Sequence, residues 1–172
     1  MLKLIGALLI ISATGLAGWS VAREYARRPV ELKQFITALQ MLETEIIYAA
    51  TPLPEAFGKI AEQLEPQAAS FFRQAAGELA SRQGCSAREA WHRALDSYAA
   101  RSALARGDLS ILRGLGGNIG ISDRDDQVKH LRLAAEQLKA ACAAAESLAD
   151  KNVKLWHYLG LLGGLLVVLA LY

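Results

Sequence analysis

The chain has little of the chemistry that most enzymes and metalloproteins need. It contains two cysteines and three histidines among 172 residues. The histidines (His92, His130 and His157) fall on separate segments and lack carboxylates or thiols at ligand spacing, so we predict no metal site. No nucleophile stands beside a base in the pattern, so we predict a protein that is not an enzyme and uses no cofactor. Cys85 and Cys142 fit a reducing compartment, although two thiols alone do not exclude a disulfide.

The chain also has no large excess of positive or of negative charge. The chain has 19 Lys and Arg against 17 Asp and Glu, a formal net charge of +2. Binding of nucleic acid needs a concentrated basic face, so we predict no nucleic-acid partner. A glycine cluster from Gly114 to Gly120 lacks the Gly-Lys-Ser/Thr ending of a phosphate-binding loop, and no strand precedes it. The cluster therefore favours a tight turn between helices.

Charged residues are almost absent from both ends of the chain. Uncharged apolar runs cover 4–22 and 155–171. A helix needs about 20 apolar residues to cross a bilayer, so we predict transmembrane helices at 1–22 and 155–172. The intervening 23–154 is long enough to form one domain with its own core.

The first run leaves two interpretations open. A lysine followed by an apolar stretch also fits a signal peptide, with Gly15 and Ala17 as a small-x-small cleavage site. Three arginines follow the run, however, and positive charge after a span resists export, which favours an uncleaved helix. The positive-inside rule then predicts a multi-pass protein of the cell membrane, with its domain in the cytoplasm. This prediction depends on the basic residues that border the domain: Arg23, Arg27, Arg28, Lys33, Lys151 and Lys154.

The central segment has no strand-like alternation of apolar and polar residues. Apolar residues instead recur every three or four positions, which predicts an all-α fold of six helices. Pro29 suits the first turn of the first of these helices. Ser86 with Glu89, and Ser122 with Asp125, are capping signals for the fourth and sixth helices. The sixth has a near-heptad stripe from Val128 to Ala149 and should continue unbroken into the C-terminal apolar run.

Two features indicate contacts with other proteins. One group of residues borders the apolar stripe of the first helix in the domain and includes the proline-fixed turn after it. These residues either form a contact face or are merely solvated: Glu43, Glu45, Tyr48, Thr51, Pro52 and Leu53. Replacing Glu45 with Lys is expected to weaken binding with little loss of fold. The turn formed by Ser122, Asp123 and Gln127 is the next candidate. Gly160 and Gly164 form a small-xxx-small pair on which another helix could pack, unless they simply face lipid.

Several stretches together resemble the stage III sporulation protein AB family of endospore formers. They are 1–7, 42–48 and 51–56, the segment from Gly114 to Asp123 with Gln127 and Lys129, and the closing Leu- and Gly-rich run. The likeness covers the whole chain. That family is similar in turn to the GspF-like F-protein domain of type II secretion and type IV pilus platforms, a six-helix bundle. Secretion F proteins usually have two such domains and three spans, whereas this chain is predicted to have one domain and two spans.

The resemblance implies a non-enzymatic membrane platform in the channel complex that joins the mother cell to the forespore. Its partners would be a secretion-type ATPase of the same operon, membrane channel proteins and membrane lipid, and it could also form a homo-oligomer. The platform would couple the cytoplasmic ATPase to the channel proteins. Two alternatives stay open: an F-like platform of another pilus or secretion system, and a two-span helical sensor.

Overall fold

The computed structural model describes residues 2–49, 51–81, 84–120 and 123–171, and within the helices it leaves undescribed the side chains of 2–11, 17–18, 24, 154, 157–158, 160–161 and 164–171. Throughout these residues the secondary structure is helical, without strands, so the predicted all-α class is confirmed. A short π-helix follows the first α-helix. In order, the elements are α1 (Leu2–Thr44), the π-helix (Glu45–Ala49), α2 (Leu53–Gln63), α3 (Pro66–Ala80), α4 (Ala87–Ala99), α5 (Arg106–Gly116) and α6 (Arg124–Leu171).

The chain divides into two compact units. One comprises 30–142, and the other comprises 1–29 together with 143–172. Among the described side chains of the second unit, the buried ones are small, at Ala22, Pro29, Ala145 and Ala149. The guanidinium of Arg23 lies 5.5 Å from the centre of the Trp19 ring, a cation–π distance.

Pro29 lies inside α1 rather than in the first turn of a separate helix. That prediction is wrong. Proline lacks the N–H that would bond to the carbonyl four residues earlier, which normally ends or kinks a helix. Here the helix begins at Leu2, far upstream, and continues past the proline to Thr44.

An aromatic cluster forms the core of unit 30–142. Phe71 and Trp91 are fully buried, and their rings meet edge to face at 4.7 Å and 85°. Phe35 approaches Phe71 in the same manner at 5.4 Å. The indole Nε1–H of Trp91 donates to the carbonyl of Leu112 at 2.8 Å, so the polar end of this buried ring is satisfied. The cluster thereby connects α1, α3, α4 and α5.

The glycine cluster does not form the predicted turn throughout. Gly114 and Gly116 lie within α5, and only 117–120 form the turn. A Cβ on Gly116 would lie 2.2 Å from Cδ1 of Trp91, so the helix backbone is packed directly against the indole. Gly120 has φ +78°, a left-handed conformation that favours glycine. The glycines therefore serve helix packing as well as the turn.

The capping signal of α4 is confirmed. The Ser86 hydroxyl accepts from the Glu89 backbone N–H at 3.2 Å, and the Glu89 carboxylate accepts from the Ser86 backbone N–H at 2.9 Å. These bonds from Ser86 lower the pKa of Glu89 below its ordinary value. At the start of α6, Asp123 is the cap, because its Oδ1 accepts from the backbone N–H of Asp126 at 2.8 Å. Ser122 lies outside the described residues.

Helix α6 runs unbroken from Arg124 to Leu171, as the sequence predicts. The near-heptad stripe from Val128 to Ala149 is buried. A bilayer crossing needs about 20 consecutive apolar residues, and none of the helices meets that requirement over the residues that the structure describes. The predicted multi-pass membrane localisation is therefore wrong. Much of 1–22 and 155–172, where the two spans were placed, lies among the residues without described side chains.

Candidate partner-binding surface

The predicted contact face is built around a π-helix that the sequence did not reveal. Helix α1 ends at Thr44, and Glu45–Ala49 continue as one π-helical segment with no buried residue. Tyr48 is 82% exposed there, the highest value among the large hydrophobic residues whose exposure is described. Single π-helical turns occur frequently at functional sites. The geometry thus presents one aromatic ring to solvent at the end of a long helix.

Glu45 is bonded to the turn that follows the π-helix. Its carboxylate Oε2 accepts from the Thr51 hydroxyl at 2.6 Å and lies 3.6 Å from the Lys59 Nζ. Lys59 also pairs with Glu55 on α2 at 3.3 Å. Hydrogen bonding with Glu55 is the largest cause that raises the pKa of Lys59. The Glu45 side chain is only 23% exposed and connects the turn to α2. Its carboxylate is therefore already engaged within the chain.

Glu43 connects two helices. Its Oε1 lies 2.7 Å from Nε of Arg132, which joins the end of α1 to α6. The Glu43 side chain is 21% exposed and that of Arg132 is 65% exposed. Sequence reasoning missed Arg132, because the two residues are 89 positions apart and no local pattern relates them. The pair places a guanidinium at the edge of the surface.

The structure brings the two predicted contact regions together. A Cβ on Gly120 would lie 3.5 Å from Cδ1 of Leu53, so the turn before α2 adjoins the loop before α6. Gln127 lines a crevice that Ile46 of the π-helix also lines, with Leu131. Thr51, Pro52 and Leu53 therefore belong with Gln127 to one region of unit 30–142. We call this region, with Tyr48 at its exposed point, the hairpin surface.

The remaining candidates lie outside what the structure describes. The surroundings of Gly160 and Gly164 lie outside the described residues, so their helix-packing role is still a prediction. Ser122 is likewise undescribed. In the described part of the chain, no three His, Cys, Asp or Glu side chains lie close enough together to hold a metal ion. Cys85 and Cys142 form no disulfide with each other, and Cys142 is buried.

Comparison with known proteins identifies the class of this helical chain. The sequence profile of stage III sporulation protein AB matches residues 3–172. Stage III sporulation protein AB of Bacillus subtilis (strain 168) is 39% identical over 171 residues, which cover 99% of each chain. A solved structure of stage III sporulation protein AB (SpoIIIAB) superposes with a TM-score of 0.68 at 35% identity, covering 72% of this chain and 97% of that one.

The chain therefore belongs to the stage III sporulation protein AB family. Membership confirms the resemblance stated from the sequence and supports a role in sporulation. The solved relative is also consistent with the all-α fold.

Proposed function

We propose that the chain is a non-enzymatic interaction component of the sporulation machinery. It docks a secretion-type ATPase of the same operon and links it to the proteins of the channel between mother cell and forespore. The likeness of the family to F-protein platform domains is part of this proposal. Membership of the family supports the sporulation setting, and the hairpin surface supports docking.

The exposure of Tyr48 is the observation that carries the proposal. A ring that is 82% exposed loses much contact with water when a partner covers it. Tyrosine is enriched at the centres of protein interfaces, because a large ring with two side-chain torsions loses little conformational entropy on binding. The Thr51 hydroxyl donates to the Glu45 carboxylate at 2.6 Å and fixes the adjoining turn. The turn therefore loses less conformational entropy when a partner binds.

Replacing Tyr48 with Ala tests the proposal. We expect a loss of about 2 kcal/mol of binding free energy, or roughly 30-fold in affinity, as for interface anchors in general. The measurements are co-purification of the ATPase and sporulation efficiency at wild-type protein levels. Tyr25→Ala is the matched control, since Tyr25 is an exposed tyrosine of the other compact unit.

Equal ATPase recovery and sporulation for Tyr48→Ala and wild type would remove the hairpin surface from consideration. A loss shared equally by Tyr25→Ala would show a general response to lost aromatic surface and would contradict a role specific to Tyr48. Far-UV circular dichroism of both variants guards against loss of fold. Because Tyr48 makes no buried contact in the π-helix, its spectrum should match that of wild type.

A further inference from the structure

A groove between α5 and α6 continues from the hairpin surface. The crevice beside Ile46 is also lined by Asn118 and His130. These two residues line, in turn, a wider depression of about 350 Å³ between α5 and α6. A third depression, of about 450 Å³, adjoins the second at Ser110 and extends along α5 to Arg106. The three depressions form one continuous feature, which we call the α5–α6 groove.

The α5–α6 groove has the length of a short helix. On α6 its lining residues run from Gln127 to Gln137, which spans about 15 Å along the helix axis. On α5 they run from Arg106 to Leu115, which spans about 14 Å. A partner helix of about three turns has the same length. A small-molecule site encloses most of its ligand, whereas Ser110, which lines two of these depressions, is exposed to solvent.

Apolar side chains form much of the wall of the α5–α6 groove. Ile111 and Leu115 line the middle depression from α5, and Leu133 and Ala134 line it from α6. Leu133 is 56% exposed, so its apolar surface is available to a partner. A helix that binds in an apolar groove inserts side chains that recur every three or four positions. We therefore expect the occupant to be an amphipathic helix with an apolar face.

The charges that line the α5–α6 groove have one sign. Its lining residues include two arginines and no Asp or Glu. Arg113 already pairs with Asp96 at 2.6 Å, so its charge is balanced within the chain. Arg106 is exposed, and its side chain forms no ion pair or hydrogen bond with the described part of the chain. The groove therefore offers one unpaired cation, at the end away from the hairpin surface, and a carboxylate on the partner would complement it.

We propose that the α5–α6 groove docks an amphipathic helix of the ATPase, with its apolar face on Leu133 and a carboxylate near one end paired with Arg106. This inference rests on the proposed function, because it names the kind of element that binds beside Tyr48. Tyr48 contacts the partner at the hairpin end, since Ile46 of the same π-helix lines the groove there. The unpaired cation lies at the opposite end, so the carboxylate sets the direction in which the partner helix runs.

Replacing Leu133 with Ala tests the apolar part of the proposal. The affinity of the purified ATPase for the immobilised full chain should fall roughly tenfold, because an apolar anchor is lost from the middle of the groove. Leu148→Ala is the matched control, since Leu148 is also an exposed leucine of α6, at 52%, but belongs to the other compact unit. Its affinity should equal that of wild type. Equal losses from both variants would contradict the proposal.

Charge reversal at Arg106 tests the acidic end of the partner helix. Arg106→Glu should weaken ATPase binding roughly tenfold, because two carboxylates would then face each other. Arg106→Lys should recover part of this loss, since the positive charge returns without the planar guanidinium. Arg73→Glu is the control, because Arg73 is an exposed arginine of α3 that does not line the groove. An Arg106→Glu chain that binds as tightly as Arg73→Glu would overturn the proposed ion pair.

A compensating change in the ATPase identifies the partner's carboxylate. Each exposed Asp and Glu of the ATPase is replaced by Arg in turn, and every variant is measured against both wild type and Arg106→Glu. One replacement, on an amphipathic helix, should restore binding to Arg106→Glu and weaken binding to the wild-type chain, because opposite charges then meet only in the first combination. A complete set without a restoring replacement would contradict an acidic partner helix.

The same measurements separate failure of this inference from failure of the proposed function. If Tyr48→Ala weakens ATPase binding while Leu133→Ala and Arg106→Glu bind like wild type, docking at the hairpin surface stands and the groove is not part of it. An ATPase that does not bind the wild-type chain would overturn both.

Photocrosslinking keeps the test decisive if Leu133→Ala does not fold. A p-benzoylphenylalanine in place of Leu133 should crosslink the full chain to the ATPase under ultraviolet light, whereas the same side chain in place of Leu148 should not. Crosslinking from both positions, or from neither, would contradict docking in the groove.

Discussion

Glu31 should be one of the most sensitive positions of unit 30–142. Its side chain is buried, with 5% of the residue exposed. The carboxylate accepts from the Tyr98 hydroxyl at 2.8 Å, from Gln67 Nε2 at 2.8 Å and from the Ala103 backbone N–H at 3.0 Å. These donors come from α3, α4 and the segment after α4. One acidic group therefore fixes three parts of the chain to α1.

The expected loss follows from the donors that would be left without an acceptor. A buried donor that loses its partner costs about 1–3 kcal/mol, and bonds to a charged group are the stronger ones. Glu31→Ala removes the acceptor from Tyr98 and Ala103 together, so we expect about 4 kcal/mol less free energy of unfolding. Glu31→Gln keeps the shape and one acceptor oxygen, and should cost about 2 kcal/mol. Tyr98→Phe should cost about 1 kcal/mol.

Urea unfolding of the full chain, followed by far-UV circular dichroism, measures these losses. Glu136→Gln is the control, since that side chain is 68% exposed, and it should change the free energy of unfolding by less than about 0.5 kcal/mol. Combining Glu31→Gln with Tyr98→Phe should give less than the sum of the single losses, because both remove one shared bond. A Glu31→Ala chain within about 1 kcal/mol of wild type would refute the reasoning, because water would then be satisfying these donors.

Two further predictions concern helices α4 and α5. Gly116→Ala should lower the free energy of unfolding by about 1–3 kcal/mol, because its Cβ would overlap Trp91, whereas Gly114→Ala has open space and should be neutral or stabilising in thermal unfolding. For Glu89, hydrogen bonds from Ser86 lower the folded-state pKa, so its stabilisation is present above the ordinary carboxyl pKa and is lost as pH falls through the folded-state value. Thermal unfolding between pH 6 and about pH 3 should therefore show weaker acid sensitivity in Glu89→Gln than in wild type, and equal sensitivity would contradict the assignment.

Local patterns predict most of the helices, because capping and amphipathic periodicity depend on residues a few positions apart. The Ser86–Glu89 capping box and the buried stripe of α6 are of this kind. Pro29 is a local signal that the structure overrides, since α1 continues through it. In the sequence, Gly116 is part of a glycine cluster that is typical of a turn. Its role instead depends on Trp91, which is 25 positions away in the sequence and adjacent in the fold. A one-dimensional pattern has no means of representing that contact.

The same distinction between local patterns and distant contacts applies to the candidate surface. Polar residues next to the Thr51–Pro52 turn predict a contact face, and the exposure of Tyr48 agrees with that interpretation. Their individual roles depend on distant partners. Arg132 for Glu43 and Lys59 for Glu45 become apparent only when α6 and α2 are in place. The sequence therefore locates the region but cannot separate the residues that hold it from the residue that is free to meet a partner.

Glu45→Lys illustrates why that separation matters. The sequence alone predicts weaker binding with little loss of fold, but the structure gives Glu45 a structural contact at 2.6 Å from the Thr51 hydroxyl. A lysine there would lose this bond and lie close to Lys59, so we expect about 1–2 kcal/mol less free energy of unfolding. Glu45→Gln keeps an acceptor for Thr51 and should lose less than about 1 kcal/mol. Urea unfolding of both variants beside Tyr48→Ala makes the distinction. If Glu45→Lys proves as stable as wild type, the bond to Thr51 contributes nothing, and Glu45 returns to being an ordinary surface carboxylate. If it is destabilised as expected, a sporulation defect in that variant says nothing about docking, and only Tyr48→Ala does.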